Sequence, residues 1–427
     1  MTTALVISRA FPASDRIAWG NLLRLESQLE ALGRVVDRIE CLFLIPEESK
    51  FSPQEVRAHE ERLRRRWSAK VSVQLASVLR PMRTPTRWQY YGPGMFHYHA
   101  QQAAEGVGTE AALRVVRAAV RAEPDLIFAH RLPAMSLLLK MPREVGEIPV
   151  FFDLDDLEHL SFGRRLMHHP GWPLERLLLL QLPRLVLTEM RAVHRSRSTF
   201  VCSERDRRHL ARLTGSRRID VVANAIGIPA DVRAGAPEPV VLFLGVMSYP
   251  PNAQAADTLV RDIWPTVHAR VPRARLIIAG ARSDSLQSSR AADASVTFSG
   301  FVEDLAALYA QARVVCCPIF YGSGTRMKII EAAAYARAIV STTVGAEGLA
   351  FENGSEIVLR DGIAALADGC VRLLEDALAA ERFGTAARER ARATYDRTVV
   401  VSKLERLFAA GLRSSSTQRC LNSSGVS

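Results

Sequence analysis

Short, almost uninterrupted apolar runs alternate along the chain with longer stretches whose apolar residues recur at helical spacing. In the first half the runs are ALVIS (4–8), RIECLFLI (38–45), VSVQLA (71–76), DLIFAH (125–130), PVFFDL (149–154) and STFVCS (198–203). Runs that do not alternate with polar residues read as strands covered on both faces, which is the signature of a parallel sheet with crossover helices. The pattern restarts with PVVLFLG (239–245), ARLIIAG (274–280), SVTFSG (295–300), ARVVCCP (312–318) and RAIVSTT (337–343). Two doubly wound α/β domains are therefore predicted: an N-terminal one over 1–225 and a C-terminal one over 240–395. The stretch IGIPADVRAGAPEP (226–239), poor in large apolar residues, reads as the linker between them. A helix over 396–412 is expected to pack back on the N-terminal domain, and the Ser-dominated residues 413–427 are expected to be a disordered tail.

A length of 427 residues suits two such domains, and 48% hydrophobic with 24% charged residues is the balance of a globular enzyme. The formal charge of +11 suits an anionic partner: a nucleotide diphosphate, an anionic lipid headgroup or nucleic acid, between which charge alone does not choose. Nucleic acid is the weakest of these readings, because no binding module stands out and the basic residues are spread along the chain. Six cysteines, at 41, 202, 316, 317, 370 and 420, show neither paired nor metal-ligand spacing, so a reduced, cytoplasmic chain is expected. Because Thr3 to Ser8 already reads as a strand, no signal peptide is expected. The most apolar helical stretch, Leu174 to Met190, is interrupted by Gln181, Pro183, Arg184 and Glu189, short of the roughly 20 apolar residues a membrane span needs. Residues 51–70 form a helix candidate ending in RLRRRWSAK; its basic run with Trp67 reads as a solvated face, with contact to a membrane surface as the alternative. Residues 81–103, rich in Pro, Tyr, Trp and His, fit neither sheet.

The most informative stretch is CCPIFYGSGTRMKIIEAAAYARAIVSTTVGAEGL (316–349). A buried strand ends at Pro318, the loop Gly322, Ser323, Gly324 and Thr325 follows, and a helix begins near Arg326. Glycines between a strand and a helix let backbone N–H groups approach an anion, and the helix N-terminus favours negative charge. Arg326 and Lys328 add full positive charge there, which is unfavourable for the helix unless an anion compensates it. Glu331, near one turn further on, is placed to accept two hydroxyls of a ribose.

The string GSGTRMKIIEA with the small-residue helix that follows closely resembles the donor-binding helix of the retaining family-four glycosyltransferases. The stretches 240–280 and 296–319 are similar to that family's first to fourth strands of the C-terminal domain, while 10–33 and DLDDLEHL (153–160) are vaguer likenesses. The resemblance implies the GT-B fold, two Rossmann-like doubly wound parallel-sheet domains facing across a cleft. It also implies transfer of a sugar from a nucleotide-diphosphate donor to a glycan or lipid-linked acceptor, in bacterial surface polysaccharide assembly and without a cofactor. By the same resemblance Arg326 and Lys328 hold the diphosphate and Glu331 the ribose. Gly300 and Phe301 then contact the nucleobase through their backbone, and His130 lies near the transferred sugar. No metal is expected: Asp153, Asp155 and Asp156 read as capping or loop residues.

Three positions depart from the family pattern. Ser323 stands where a first glutamate often holds sugar hydroxyls, which leaves donor preference open. Pro12, Ala13, Ser14 and Asp15 replace paired glycines in the opening loop. The loop VMSYPPN after the strand VVLFLG lacks an Arg and a Lys. A relative that binds a nucleotide sugar without turnover, or another GT-B activity such as an epimerase, remains the alternative.

Overall fold

The computed structural model describes residues 1–11, 20–46, 52–66, 70–79, 109–168, 170–232, 238–290, 293–322 and 324–423. The opening-loop positions 12–15, Trp67, residues 81–103 and Ser323 lie outside them. The chain divides into two compact units, Met1–Asn224 with Val400–Ser427, and Ala225–Val399.

In the first unit the strands β1 (Thr3–Ser8), β2 (Arg38–Pro46), β3 (Val71–Leu79), β4 (Leu126–His130), β5 (Val150–Asp155), β6 (Ser198–Val201) and β7 (Ile219–Val221) form one sheet. Its order is β3-β2-β1-β4-β5-β6-β7, and every pairing is parallel. The central strands are apolar at successive positions because helices cover both faces; every residue of Leu126–His130 and of Val150–Asp155 is buried. β7, only three residues long, carried too little pattern to be predicted.

The second unit repeats the plan with β8 (Val240–Leu244), β9 (Arg275–Ala279), β10 (Val296–Gly300), β11 (Val314–Cys317), β12 (Ala338–Ser341) and β13 (Val358–Leu359). The order is β10-β9-β8-β11-β12-β13, again all parallel. In each sheet the direction of winding reverses once, between β1 and β4 and between β8 and β11. The carboxyl ends of strands at such a reversal leave a crevice in which open α/β sheets hold ligands.

Three segments differ from the sequence reading. The final helix runs over Arg397–Ser423, so the tail expected from 413 is helical up to Ser423; nothing in RSSSTQRCLNS is a helix breaker, and the preceding turns supply the costly nucleus. Phe408 on this helix packs edge-on to Phe128, Phe151 and Phe200 at 5.8, 5.0 and 5.6 Å, burying the helix against the first sheet. The start of the linker is bound within the second unit: Ile226 bridges Asp396, and the Arg388 guanidinium donates to the carbonyls of Pro229 and Ala230. The apolar stretch 174–190 breaks in two, a 3₁₀ helix Pro173–Gln181 and an α-helix Leu182–Arg195 with Pro183 in its first turn, where proline is tolerated. The helix Pro53–Arg66 buries only Leu63 among its described side chains, and Arg64 pairs with Glu60 one turn away at 2.7 Å, as a solvated face should.

Candidate functional site

At the reversal in the second unit, glycines let three strand ends meet closely. The Gly245 N–H donates to Ala279 O at 3.0 Å and the Gly280 N–H to Gly300 O at 2.7 Å. A β-carbon added to Gly280, whose φ is +117°, would stand 1.9 Å from Gly245 O, so only glycine fits. Onto this floor, from the helix Met327–Ala334 beyond β11, comes Lys328. Its Nζ donates to Asn252 Oδ1 at 2.7 Å, sits 4.3 Å above the Phe243 ring, and would lie 2.8 Å from a β-carbon at Gly245. Asn252 is itself oriented by donating Nδ2–H to Val246 O at 3.0 Å. Lys328 thus spans the gap between the element after β11 and the loop after β8.

Arg326 caps the same helix, and its guanidinium folds back to donate to Gly324 O. Gly322 (φ +115°) and Gly324 (φ +79°) adopt conformations that favour glycine, and a β-carbon on Gly322 would come within 3.0 Å of Arg326 Nη2. Thr325, partly exposed, joins this loop to the cap. Arg326 is 7% and Lys328 8% exposed, so two cations are concentrated in a nearly dehydrated volume at a helix N-terminus. Burial, aided by Arg326, pulls the Lys328 amine down from its ordinary 10.5 to about 8, against the opposing influence of Cys317 and Glu331. Burial likewise raises the Glu331 carboxyl, opposed by Lys328 and by the Tyr309 hydroxyl, which donates to it at 3.2 Å. Tyr309 stacks on Tyr335 at 4.7 Å, fixing that hydroxyl.

Gly300 ends β10 with φ +62°, its N–H donating to Ser283 Oγ at 2.9 Å and its carbonyl accepting from Gly280. Phe301, the next residue, is 57% exposed. The structure therefore gathers Arg326, Lys328, Glu331 and the Gly322–Thr325 loop about one helix, and Gly300 beside the Gly245–Gly280 floor. The sequence reading missed Asn252, Tyr309 and the Gly245–Gly280 contact. The loop VMSYPPN, singled out for lacking cations, supplies Asn252 as the partner of Lys328.

In the first unit His130 ends β4 at the other reversal, beside the end of β1. The Ser8 hydroxyl lies 2.9 Å from His130 Nδ1 and accepts from the Ala10 N–H at 3.0 Å, so the ring is held at Nδ1. Nε2 is buried, makes no hydrogen bond among the described residues, and lies 3.9 Å from Asp153 Oδ2. Burial lowers His130 to about 4, with Arg131 and Arg24 adding to that and the carboxylates opposing it, so the ring is neutral near pH 7. Arg24, which is 2% exposed, grips Asp153 through Nη2 at 2.6 Å and donates to Val222 O at 2.6 Å.

Asp155 is neutralised by Arg131 and lies 3.4 Å from Arg24 Nε. Asp155, Asp156 and Cys202 place ligand atoms within 4.8 Å of one another. Burial raises both the Cys202 thiol and the Asp156 carboxyl, the latter to about 7, and Asp155 already holds its arginines.

Residues 238–376 match the family described as glycosyl transferases group 1. A phosphatidyl-myo-inositol mannosyltransferase of Mycobacterium tuberculosis is 32% identical over 209 residues, covering 44% of this chain and 51% of the relative. An uncharacterised protein from the cps region of Klebsiella pneumoniae is 25% identical over 127 residues, covering 28% of this chain and 33% of the relative. The chain thus spans about half the length, or less, of the curated relatives it matches. Among solved structures, a sucrose-phosphate synthase of Thermosynechococcus elongatus superposes with a TM-score of 0.64 at 17% identity, covering 96% of this chain and 98% of that one. HepE of Anabaena, solved with UDP and glucose, superposes with a TM-score of 0.62 at 13% identity, covering 96% and 100%. The two parallel-sheet units and these likenesses establish the GT-B fold.

Proposed function

We infer, for a chain that has the GT-B fold and the sequence of the group 1 glycosyl transferases over residues 238–376, that it moves a sugar from a nucleotide-diphosphate donor to an acceptor. The observation that carries the reading is the buried Lys328, held at the strand reversal with a pKa near 8 and with Arg326 beside it. Concentrated positive charge of this kind is costly in the empty protein and is offset by a diphosphate. As the bond from the anomeric carbon to the phosphate oxygen breaks, charge develops on that oxygen, where preorganised cations lower the barrier most. Arg326 and Lys328 are assigned to the diphosphate, with Gly322, Gly324 and Thr325 allowing its approach. Glu331 is assigned to the ribose and the Gly300–Phe301 strand end to the nucleobase. Since Gly300 already uses its N–H and carbonyl internally, the Phe301 backbone is the natural contact. His130, neutral and with Nε2 uncommitted to a hydrogen bond, is assigned to the transferred sugar.

Retention of configuration and a glycan or lipid-linked acceptor in bacterial surface glycan assembly are the finer parts of this proposal. They draw support from the relatives: one is named as a mannosyltransferase of phosphatidyl-myo-inositol, and another is encoded in a cps region. A cytoplasmic protein with peripheral contact to an anionic membrane follows from the same reading; no helix among the described residues is long and apolar enough to cross one. The absence of a carboxylate at position 323 favours a second reading, a protein that binds nucleotide sugar without turnover. Incubating the pure protein with a panel of nucleotide sugars and an acceptor extract, and measuring released nucleoside diphosphate, tests both. Release above background with one donor is expected; tight binding with no release would overturn the transferase reading in favour of the second.

A further inference from the structure

The 3₁₀ helix Pro173–Gln181 is built inside out. With three residues per turn, positions three apart share a face, and a run of nine residues is unusually long for this type of helix. One face, Glu175, Leu178 and Gln181, is buried; the next, Leu174, Leu177 and Leu180, is 57%, 48% and 62% exposed. A helix packing on its own protein in water would do the reverse. Glu175 is held inside by Arg165, which donates to it at 2.7 Å, and by the Gly171 N–H.

The exposed leucines continue into the flanking helices. Leu187 is 50% exposed on Leu182–Arg195, and Met167 is 60% exposed at the end of Glu158–His168, where Arg176 reaches its carbonyl at 3.4 Å. Five of the twelve exposed large apolar side chains among the described residues fall between 167 and 187, so this is a patch and not scatter.

The charged side chains exposed between 164 and 195 are all basic. Arg165, Arg176, Arg184 and Arg191 are exposed, and Arg184 and Arg191 flank Leu187 at spacings of three and four, on one helical face. The two acids between 164 and 195, Glu175 and Glu189, are 5% and 0% exposed, the latter bound to His159. Exposed leucine interleaved with exposed arginine, with no exposed carboxylate between 164 and 195, is the chemistry of a surface that dips into the headgroup layer of an anionic bilayer. There the leucines leave water, and arginines extend to lipid phosphate. A second copy of the chain is a poor occupant, because a two-fold contact would set arginine against arginine.

We propose that the face carrying Leu174, Leu177, Leu180 and Leu187 with Arg176, Arg184 and Arg191 seats on an anionic phospholipid surface. This gives the peripheral membrane contact proposed above a specific location and rests on that reading for its purpose, though not for its test. The full chain is sedimented with vesicles of phosphatidylcholine, with or without phosphatidylglycerol, at low and high salt. Wild type is expected to partition onto the anionic vesicles and to leave them as salt rises. L174Q/L177Q/L180Q should lower partitioning by on the order of tenfold or more, through apolar area lost from the contact. R176Q/R184Q/R191Q should lower it about a hundredfold, at about fivefold per arginine near an anionic surface, and flatten the salt response.

Both variants should melt like wild type and keep the thermal shift caused by whichever nucleoside diphosphate stabilises it. Wild type that ignores anionic vesicles, or a leucine variant that binds them as well as wild type, would overturn the proposal. So would a wild-type dimer that the leucine variant dissolves, which would assign the face to self-association. Vesicle binding by a wild type whose melting shifts with no member of a nucleoside diphosphate panel would instead sink the donor assignment and leave this surface standing.

Discussion

Lys328→Met tests the central electrostatic argument without touching shape, because methionine fills the same channel with an unbranched, uncharged chain. A buried amine lowered from 10.5 to about 8 costs the folded state about 3 kcal/mol at neutral pH relative to leaving that lysine in water, a tenfold change in proton affinity being worth about 1.4 kcal/mol. The substitution removes that cost but also deletes the 2.7 Å bond to Asn252, leaving Asn252 Oδ1 short of a partner at about 1–3 kcal/mol. The ligand-free variant should therefore be as stable as wild type or up to about 2 kcal/mol more stable, raising its melting temperature by as much as about 4–8 °C for a unit of this size.

The pH dependence follows from the same shift. Between pH 8 and 10.5 the unfolded lysine binds more protons than the folded one, so wild type gains stability across that window while the variant does not. The assay is calorimetric or denaturant unfolding of both proteins near neutral pH and near pH 10, together with the thermal shift caused by a panel of nucleoside diphosphates. The shift should vanish in the variant, and its stability advantage should shrink toward high pH. A variant destabilised by more than about 3 kcal/mol at neutral pH, or one that still responds fully to the nucleotide that stabilises wild type, would refute the idea that this cation is kept for an anion.

Arg326→Ala with Lys328→Ala should abolish transfer and the nucleotide-induced thermal shift while the protein still folds; wild-type turnover in that double variant would cancel the diphosphate assignment. His130→Ala should lower turnover more than nucleotide affinity, and unchanged turnover would reduce His130 to a scaffold residue. His130 is also an acid-sensitive group: lowered from 6.5 to about 4, it is neutral in the fold, so stability is lost as pH falls from 6.5 toward 4, by up to about 3 kcal/mol. His130→Asn should flatten that loss in unfolding measurements if His130 is its source. Gly280→Ala, which drives a β-carbon to 1.9 Å from Gly245 O, should cost more than about 3 kcal/mol and leave little soluble protein; a normal melting curve would show that the strand ends are not locked as described.

The fold was legible because buried parallel strands announce themselves by uninterrupted apolar runs, and two sets of them imply two sheets. The runs failed where the strand was too short to carry a pattern, as at β7 and β13. They also misled where composition stood in for local geometry. Residues 413–423 look like a solvated tail, yet no proline stops the helix that Phe408 anchors. Residues 174–190 look like one apolar helix, yet a new one starts with Pro183 in its first turn and the preceding turns tighten to three residues.

The candidate site was legible in its charges and opaque in the side chains that hold them. Arg326, Lys328 and Glu331 were readable because their spacing on one helix follows from sequence. Asn252, 76 residues from Lys328, and Tyr309, 22 residues from Glu331, were not, since only the strand order brings them together. The same distinction explains the loop VMSYPPN. On sequence it counted as a deficit of positive charge, but a neutral amide at Asn252 holds the Lys328 amine in place without competing for an anion, as a carboxylate there would. The departure therefore keeps the Lys328 amine buried beside Arg326 without placing a carboxylate against it, which is the arrangement the proposed diphosphate would use.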